Sequence, residues 1–463
     1  MMAFLGIDLG TGGVRCLLVK EDGGIRAETS CGLVNLNVAT VDRGSEQDPR
    51  EWIEALESAL DELFADPANR EVQAIAVDST SGTVLPVADD GAPLGTAFLY
   101  NDMRAQAEAE ACAAVFGGSC SPTFSLPKIL WMQAHMELAD DCLFLHATDY
   151  LNSWLAGTTE VPTDFTNAMK TGVDLETERW SGAMPELRLP EVIAPGKKFG
   201  VLREDLRSRW QLAGEVALVS GATDSNAAFY ASGAASAGDW STTIGTTLAV
   251  KGLSEVRIND PEARIYCHKH PDGTWLPGGA SNAGGGIVRQ RFADTMAALE
   301  AAAAERRETT HFIYPSLCRG ERLPFSSRSF EPFFVGDESD EVGVFLGCIE
   351  GVAFVEAMVY ELLESLGGTV GDTIYATGGA ARSLLSLQVR ANLLQKSLCV
   401  PSHPNSAMGA AVLAAAGFLE RPVGELSRQM VSIDRTVEPR PSSSSYYQDR
   451  LAEFRRLCNE ALA

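Results

Sequence analysis

The chain has 463 residues, 45% of them apolar and 21% charged, with a formal net charge of −25. That length exceeds one ordinary core, so two domains of roughly 200 residues each are expected, and the composition is globular. So negative a chain repels nucleic acid and anionic membrane, which excludes both as expected partners but not a small anion held by a local backbone loop and a cation.

Residues 1–8 carry no basic stretch leading to an apolar core and cleavage site, so no signal peptide is expected. No run approaches 18 consecutive apolar residues, so no membrane span is expected. Ten cysteines without a CxxC pair point to buried, reduced thiols and a cytoplasmic setting. Cys267, His268 and His270 have metal-like spacing but no second ligand pair, and a structural strand is expected there instead of zinc.

In chain order, Phe4 to Asp8 is a short apolar run closed by Gly10-Thr11-Gly12-Gly13. Val14 to Lys20 resumes the strand and Asp22-Gly23-Gly24 turns it again, a meander whose first turn is glycine-rich. Trp52, Ile53, Leu56, Leu60 and Leu63 mark a helix over Trp52 to Phe64. Ala74 to Asp78, Val84 to Val87 and the turn Asp89-Asp90-Gly91 repeat the meander more weakly. Val216 to Ser220 is a strand, Gly221 to Asp224 a turn, and Ala227 to Gly233 a small-residue helix. Trp240 to Ile244, Gly245-Thr246-Thr247 and Leu248 to Lys251 form another hairpin. The recurrence suggests duplicated α/β halves. Val344 to Leu366 is a long amphipathic helix stopped by Gly367-Gly368. Thr373 to Thr377, the turn Gly378-Gly379, helix Ser383 to Gln395, strand Leu398 to Pro401 and helix Ala407 to Phe418 follow, an alternation that predicts parallel strands. The polar stretch Pro439 to Ser444 connects to a terminal helix, Tyr446 to Ala461.

Three glycine turns could carry chemistry. Gly10, Thr11 and Gly12 let backbone N–H groups close around phosphate oxygens, with Thr11 adding a hydroxyl and Asp8 able to hold a Mg²⁺ ion through water. The same residues also suit an ordinary tight hairpin. Gly245, Thr246 and Thr247 form a second glycine–hydroxyl turn. Gly378, Gly379 and Ala380 permit close approach of a flat ligand at the end of a parallel strand, or make a plain strand-to-helix connection. Neither a Walker A loop nor a complete GxGxxG occurs. Asp224 stands between a strand and a helix, where it is either an N-cap or a base that takes a proton from a hydroxyl. Ser81, Asp102 and Asp224 supply short polar groups for a polyol, and Gly12 and Gly13 allow it to come close. Ser81 could equally be a turn hydroxyl, and Asp102 with Arg104 an ion pair.

Taken together and in order, these segments resemble the FGGY family of carbohydrate kinases, within the actin-like ATPase superfamily. Gly6 to Arg15 is similar to its first phosphate motif, Gly245-Thr246-Thr247 to its second, and Gly378-Gly379-Ala380-Ala381 to its adenosine motif. Ser406 to Ala416 is similar to the helix that closes the adenosine site, and Ser125 to Trp131 to a signature segment. Gly221 to Asp224 resembles the catalytic segment whose aspartate is the base. The resemblance implies an α/β fold of two ribonuclease H-like domains around a central cleft. The expected boundaries are an N-terminal sugar domain over 1–219, a C-terminal nucleotide domain over 220–420 and a tail over 421–463. It implies ATP and Mg²⁺ as cofactors, Asp8 as the Mg²⁺ residue and part of the sugar site, and a small sugar as the other substrate. Family members are often dimers or tetramers, so a homodimer is compatible with it.

For the sugar, Asp78 to Thr83 is similar to the segment of ribulokinases and of the D-ribulose kinase group of cyanobacteria and plants, as are Trp275 to Asn282 and Tyr314 to Pro324. Glycerol kinases usually carry arginine and glutamate where this chain has Ser81 and Gly82. The glutamine–methionine–histidine run usual in xylulokinases is missing. D-ribulose is therefore the first expected substrate, and D-xylulose or another pentulose or polyol the second. An actin-like ATPase that uses no sugar is the rival from another class.

Overall fold

The computed structural model describes residues 2–462 apart from 36–37, 40–42, 119, 140, 307 and 441–443. The chain packs as two compact units, Met1–Ala231 with Asn405–Met430, and Ser232–Pro404 with Val431–Ala463.

The first unit is built on a six-stranded sheet. Its strands are β1 (Ala3–Gly10), β2 (Gly13–Lys20), β3 (Ile25–Gly32), β4 (Ala74–Ser79), β5 (Lys198–Val201) and β6 (Ala217–Thr223), in the order β5-β6-β4-β1-β2-β3. β1, β2 and β3 form the antiparallel meander, while β4 lies parallel to both β1 and β6. The helix Pro49–Ala65 has Asp48 as its N-cap, proline in its first turn, and buries Trp52, Leu56, Leu60 and Leu63 in the core with Leu5, Ile7 and Leu18. Gly221 lies inside β6 and not in a turn. A Cβ there would meet the Val77 carbonyl at 1.6 Å, so glycine serves close strand approach, next to a register shift between Val219 and Ala222. The helix that follows spans Asp224–Tyr230, three residues earlier than its spacing suggested.

The helix Ser406–Leu419 belongs to this first unit, not to the nucleotide half in which the sequence placed it. Its residues are nearly all small and apolar, so they show no preferred face. Two glycines decide where it packs. A Cβ on Gly6 of β1 would meet the Ala407 carbonyl at 1.8 Å, and one on Gly409 would meet the Ala227 carbonyl at 1.7 Å. Backbone-to-backbone packing of this kind admits no other residue.

The second unit repeats the plan. Its seven strands are β7 (Trp240–Ile244), β8 (Leu248–Gly252), β9 (Tyr266–Lys269), β10 (Trp275–Ser281), β11 (Thr373–Thr377), β12 (Ser397–Pro401) and β13 (Ile433–Val437), ordered β9-β10-β8-β7-β11-β12-β13. β7, β8 and β10 run antiparallel, and β7, β11 and β12 are parallel. Cys267 and His268 sit in β9, as expected for a structural strand. The core helix Glu341–Ser365 is long and apolar enough to cross a membrane, but 89% of its apolar window is buried inside the structure. Gly343, Gly347 and Gly351 line one face of it and let the chain around His311 and Ile313 lie against the helix backbone. The expected tail is divided between the units: Val423–Met430 joins the first, while β13 and the helix Ser444–Leu462 join the second. Residues 441–443 of the expected connector lie outside the described residues.

Candidate active site

In the first unit the carboxyl ends of β1, β4 and β6 lie side by side, where open α/β sheets bind ligands. Asp8 on β1 is in register with Asp78 on β4, and Asp78 with Ala222 on β6, two residues before Asp224. Thr223 is the N-cap of the helix that starts at Asp224, so Asp224 is not the cap, and its carboxylate accepts the Ser225 N–H at 2.6 Å. Asp78 is fully buried, and neither of its oxygens receives an N–H or hydroxyl donor among the described residues. Burial, then the like charges of Asp8 and Asp224, push its pKa well up. Burial also raises Asp8, against the opposing pull of hydrogen bonds from Asp78 and Ser406 and the charge of Arg15.

The turn after β1 is held open. Gln47 donates to the Thr11 carbonyl at 2.8 Å and Leu33 N–H to the Gly12 carbonyl at 3.0 Å, while Thr11 and Gly12 themselves are exposed. A Cβ on Gly12 would meet nothing within 4 Å, whereas one on Gly13 would meet the Cys31 carbonyl at 2.4 Å. Gly13 is therefore required by the hairpin and Gly12 is not.

Ser81 lies in the turn just after β4. Lys170 donates to the Ser81 carbonyl at 3.2 Å, and buried Lys128 donates to the Gly82 and Leu99 carbonyls. Burial pulls Lys128 down to about 7, and burial also lowers Lys170, against the attraction of Asp224. The signature segment around Lys128 thus anchors the Ser81 loop. Asp102 is a different case. Its side chain is fully buried and accepts from the Ser45 N–H at 2.8 Å and from Arg104, which also pairs with Glu46. This is a buried scaffold pair, not a surface one, and a carboxylate so occupied has little left for a sugar hydroxyl.

Residue reading missed the network beneath these groups. Asp164 accepts from Thr166 and Asn167. Thr166 Oγ1 in turn accepts the Thr223 N–H at 2.9 Å, and Asn167 reaches Thr148, which pairs with Ser79. The ends of β4 and β6 are thereby fixed by residues from a separate stretch of chain.

In the second unit, Gly245-Thr246-Thr247 follows β7 and Gly378-Gly379 follows its parallel neighbour β11. The two strand ends are joined by a 2.6 Å hydrogen bond between the Thr243 and Thr377 hydroxyls. Gly378 has φ +80°, and a Cβ there would meet the Ile244 carbonyl at 2.6 Å. Thr246, Thr247, Gly378 and Gly379 are exposed and Ala380 is half-buried beside them. Among the described residues no group of three His, Cys, Asp or Glu side chains could hold a metal directly. The hard oxygens of Asp8, at the end of β1 and only partly buried, suit a hard divalent cation reached through water.

The pattern of the FGGY family of carbohydrate kinases, N-terminal domain, matches residues 3–230, and that of its C-terminal domain residues 233–418. The xylulose kinase of Escherichia coli is 26% identical, across 99% of this chain and 99% of that protein. The gluconokinase of Bacillus subtilis is 24% identical, across 88% and 86%. Among solved structures, that of a xyloylose kinase from Brucella ovis superposes with a TM-score of 0.88 at 24% identity, covering all of both chains.

Proposed function

The chain belongs to the FGGY family of carbohydrate kinases and is a sugar kinase that uses ATP, and from that premise we propose that its acceptor is a ketopentose, D-xylulose before D-ribulose. The segment Asp78 to Thr83 favoured D-ribulose, but the relatives of like length include a xylulose kinase and a gluconokinase, which moves D-xylulose ahead. A kinase family match also sets aside the ATPase without a sugar.

One observation carries the site: Asp8, Asp78 and Asp224 meet at adjacent strand ends beside Ser81 and Lys170. Asp224 takes the proton from the attacking sugar hydroxyl. The hydroxyl oxygen bonds to the γ-phosphorus, the bond to the β,γ-bridging oxygen breaks, and ADP leaves. Asp8, Ser81 and the open face of Gly12, with Gly13 holding the hairpin beside it, seat the sugar. Gly10, Thr11 and Gly12 offer donors to phosphate, as do Gly245, Thr246 and Thr247, and Gly378, Gly379 and Ala380 take the adenosine. Asp8 would hold Mg²⁺ through water, and the ion when bound neutralises phosphate charge.

The test is sugar-dependent ADP release with Mg-ATP across ketopentoses, aldopentoses, gluconate, polyols and glycerol. The expected result is the highest kcat/KM with D-xylulose. A clear preference for gluconate or glycerol over every ketopentose would overturn the assignment.

A further inference from the structure

The Gly245-Thr246-Thr247 turn is locked to a second loop, Ser281 to Gly286. Gly285 N–H donates to the Gly245 carbonyl at 2.9 Å, Gly286 N–H to the Thr246 carbonyl at 3.1 Å, and Leu248 N–H to the Ala283 carbonyl at 2.7 Å. Cβ atoms on Gly284 and Gly286 would meet Thr246 backbone oxygen at 2.5 and 3.0 Å, so the fit depends on glycine. The loop is itself pinned by buried Glu321, which accepts from Ser281 Oγ at 2.9 Å, Asn282 N–H at 2.7 Å and Tyr314 OH at 2.6 Å. The helix Gly286–Phe292 leaves this rigid joint and carries Arg289 on its exposed side.

Arg289 donates to Thr246 Oγ1 at 2.6 Å. Among the described residues this is the side-chain bond it makes, and no carboxylate pairs with it. Arg264, Arg390 and Arg450, by contrast, each hold a carboxylate in this chain of 62 acidic and 37 basic residues. A guanidinium has five N–H donors, so most remain open beside the hydroxyl of a turn proposed to seat phosphate. We infer that Arg289 is a further nucleotide contact, placing a fixed positive charge on the terminal phosphates seated at Thr246. Guanidinium suits this task because its planar fork meets two phosphate oxygens at once. In so acidic a protein it supplies local charge that backbone N–H groups alone do not.

This rests on the assignment of Gly245-Thr246-Thr247 to phosphate, and the test separates the two. Arg289→Ala, Arg289→Lys and Thr246→Ala would be titrated calorimetrically with ATP, ADP and AMP in the presence of Mg²⁺, alongside thermal melts. Arg289→Ala should weaken ATP and ADP by about tenfold or more, the size of one charge-assisted hydrogen bond. AMP affinity and the melting temperature should stay put, because Arg289 is exposed, and Arg289→Lys should recover part of the loss. Unchanged ATP affinity in Arg289→Ala with weakened binding in Thr246→Ala would overturn the Arg289 role alone. No change in either variant would overturn the phosphate assignment as well. Equal weakening of AMP would also overturn the proposal, since AMP lacks the phosphates invoked.

Discussion

The two units share one strand plan and end it differently. In each, an antiparallel meander feeds a central strand, two parallel strands follow, and an antiparallel edge strand closes the series. In the first unit the three parallel strands finish near Asp8, Asp78 and Asp224; in the second, β7 and β11 finish at Ile244 and Thr377, next to exposed glycine turns. Topology alone puts a ligand at either set of strand ends. What each end can do depends on a handful of side chains. On the proposed reading, three clustered carboxylates would manage protons and cations, whereas hydroxyls, bare backbone and a guanidinium would manage phosphate. One repeated strand plan is thus divided, under the proposal, into a half for chemistry and a half for nucleotide.

The largest effect should come from the acidic half. Asp224→Asn removes the base while keeping the shape and the acceptor for Ser225 N–H. Turnover should fall by about 10²–10⁴-fold, the usual contribution of a positioned base, with ATP affinity retained. Single-turnover phosphate transfer with the preferred sugar measures it, and a variant within a few-fold of wild type would remove Asp224 from the base role.

Glycines sharpen the comparison next, because the structure separates those needed for packing from those facing open space. Gly379→Val puts a branched side chain on an exposed turn with no neighbour closer than 4.0 Å, so the fold should survive. ATP affinity should drop by about tenfold, near 1.4 kcal/mol. Gly6→Ala in the other half should do the reverse, failing to fold stably because its Cβ falls on the Ala407 backbone at 1.8 Å. Melting curves beside nucleotide titrations check both. If Gly379→Val alters only the sugar requirement, the adenosine site is misplaced.

The same contrast shows what could be read from residues alone. The hairpins at Gly10 and Gly245, the strand before Asp224 and the helix stop at Gly367 are local events, set by glycine and by periods of two or 3.6. The meanders, the parallel strands that follow them and the two-fold plan followed from repeated local patterns, but the order of the strands did not. Lys170 on the Ser81 carbonyl, the Asp164 to Thr223 relay and Arg289 on Thr246 link positions 43 to 89 residues apart, and no spacing rule announces them. Asp102 shows the opposite error: a polar residue of suitable type was assigned to sugar, and burial with Arg104 used it elsewhere. The helix Ser406–Leu419 was found but misplaced, since its partner is decided by Gly6, about 400 residues upstream in the chain.

The last predicted effect concerns stability in the second half, where the buried acid lies away from the glycine turns and serves packing. Glu350 on the core helix accepts from Arg450 at 2.8 Å and Tyr446 at 3.1 Å, tying the terminal helix down. Burial outweighs both partners and pushes its pKa up to about 7 from 4.5. A carboxyl raised in the folded state stabilises fully below its unfolded value, and that contribution is lost as pH rises through about 7. The loss is at most about 3 kcal/mol, because Arg450 keeps part of the charged form satisfied. Urea midpoints should therefore fall between about pH 5 and 8, and Glu350→Gln, which cannot titrate, should flatten that slope even if it lowers stability throughout. An unchanged slope in Glu350→Gln would place the pH dependence in other groups and leave Glu350 a charged partner of Arg450 at neutral pH.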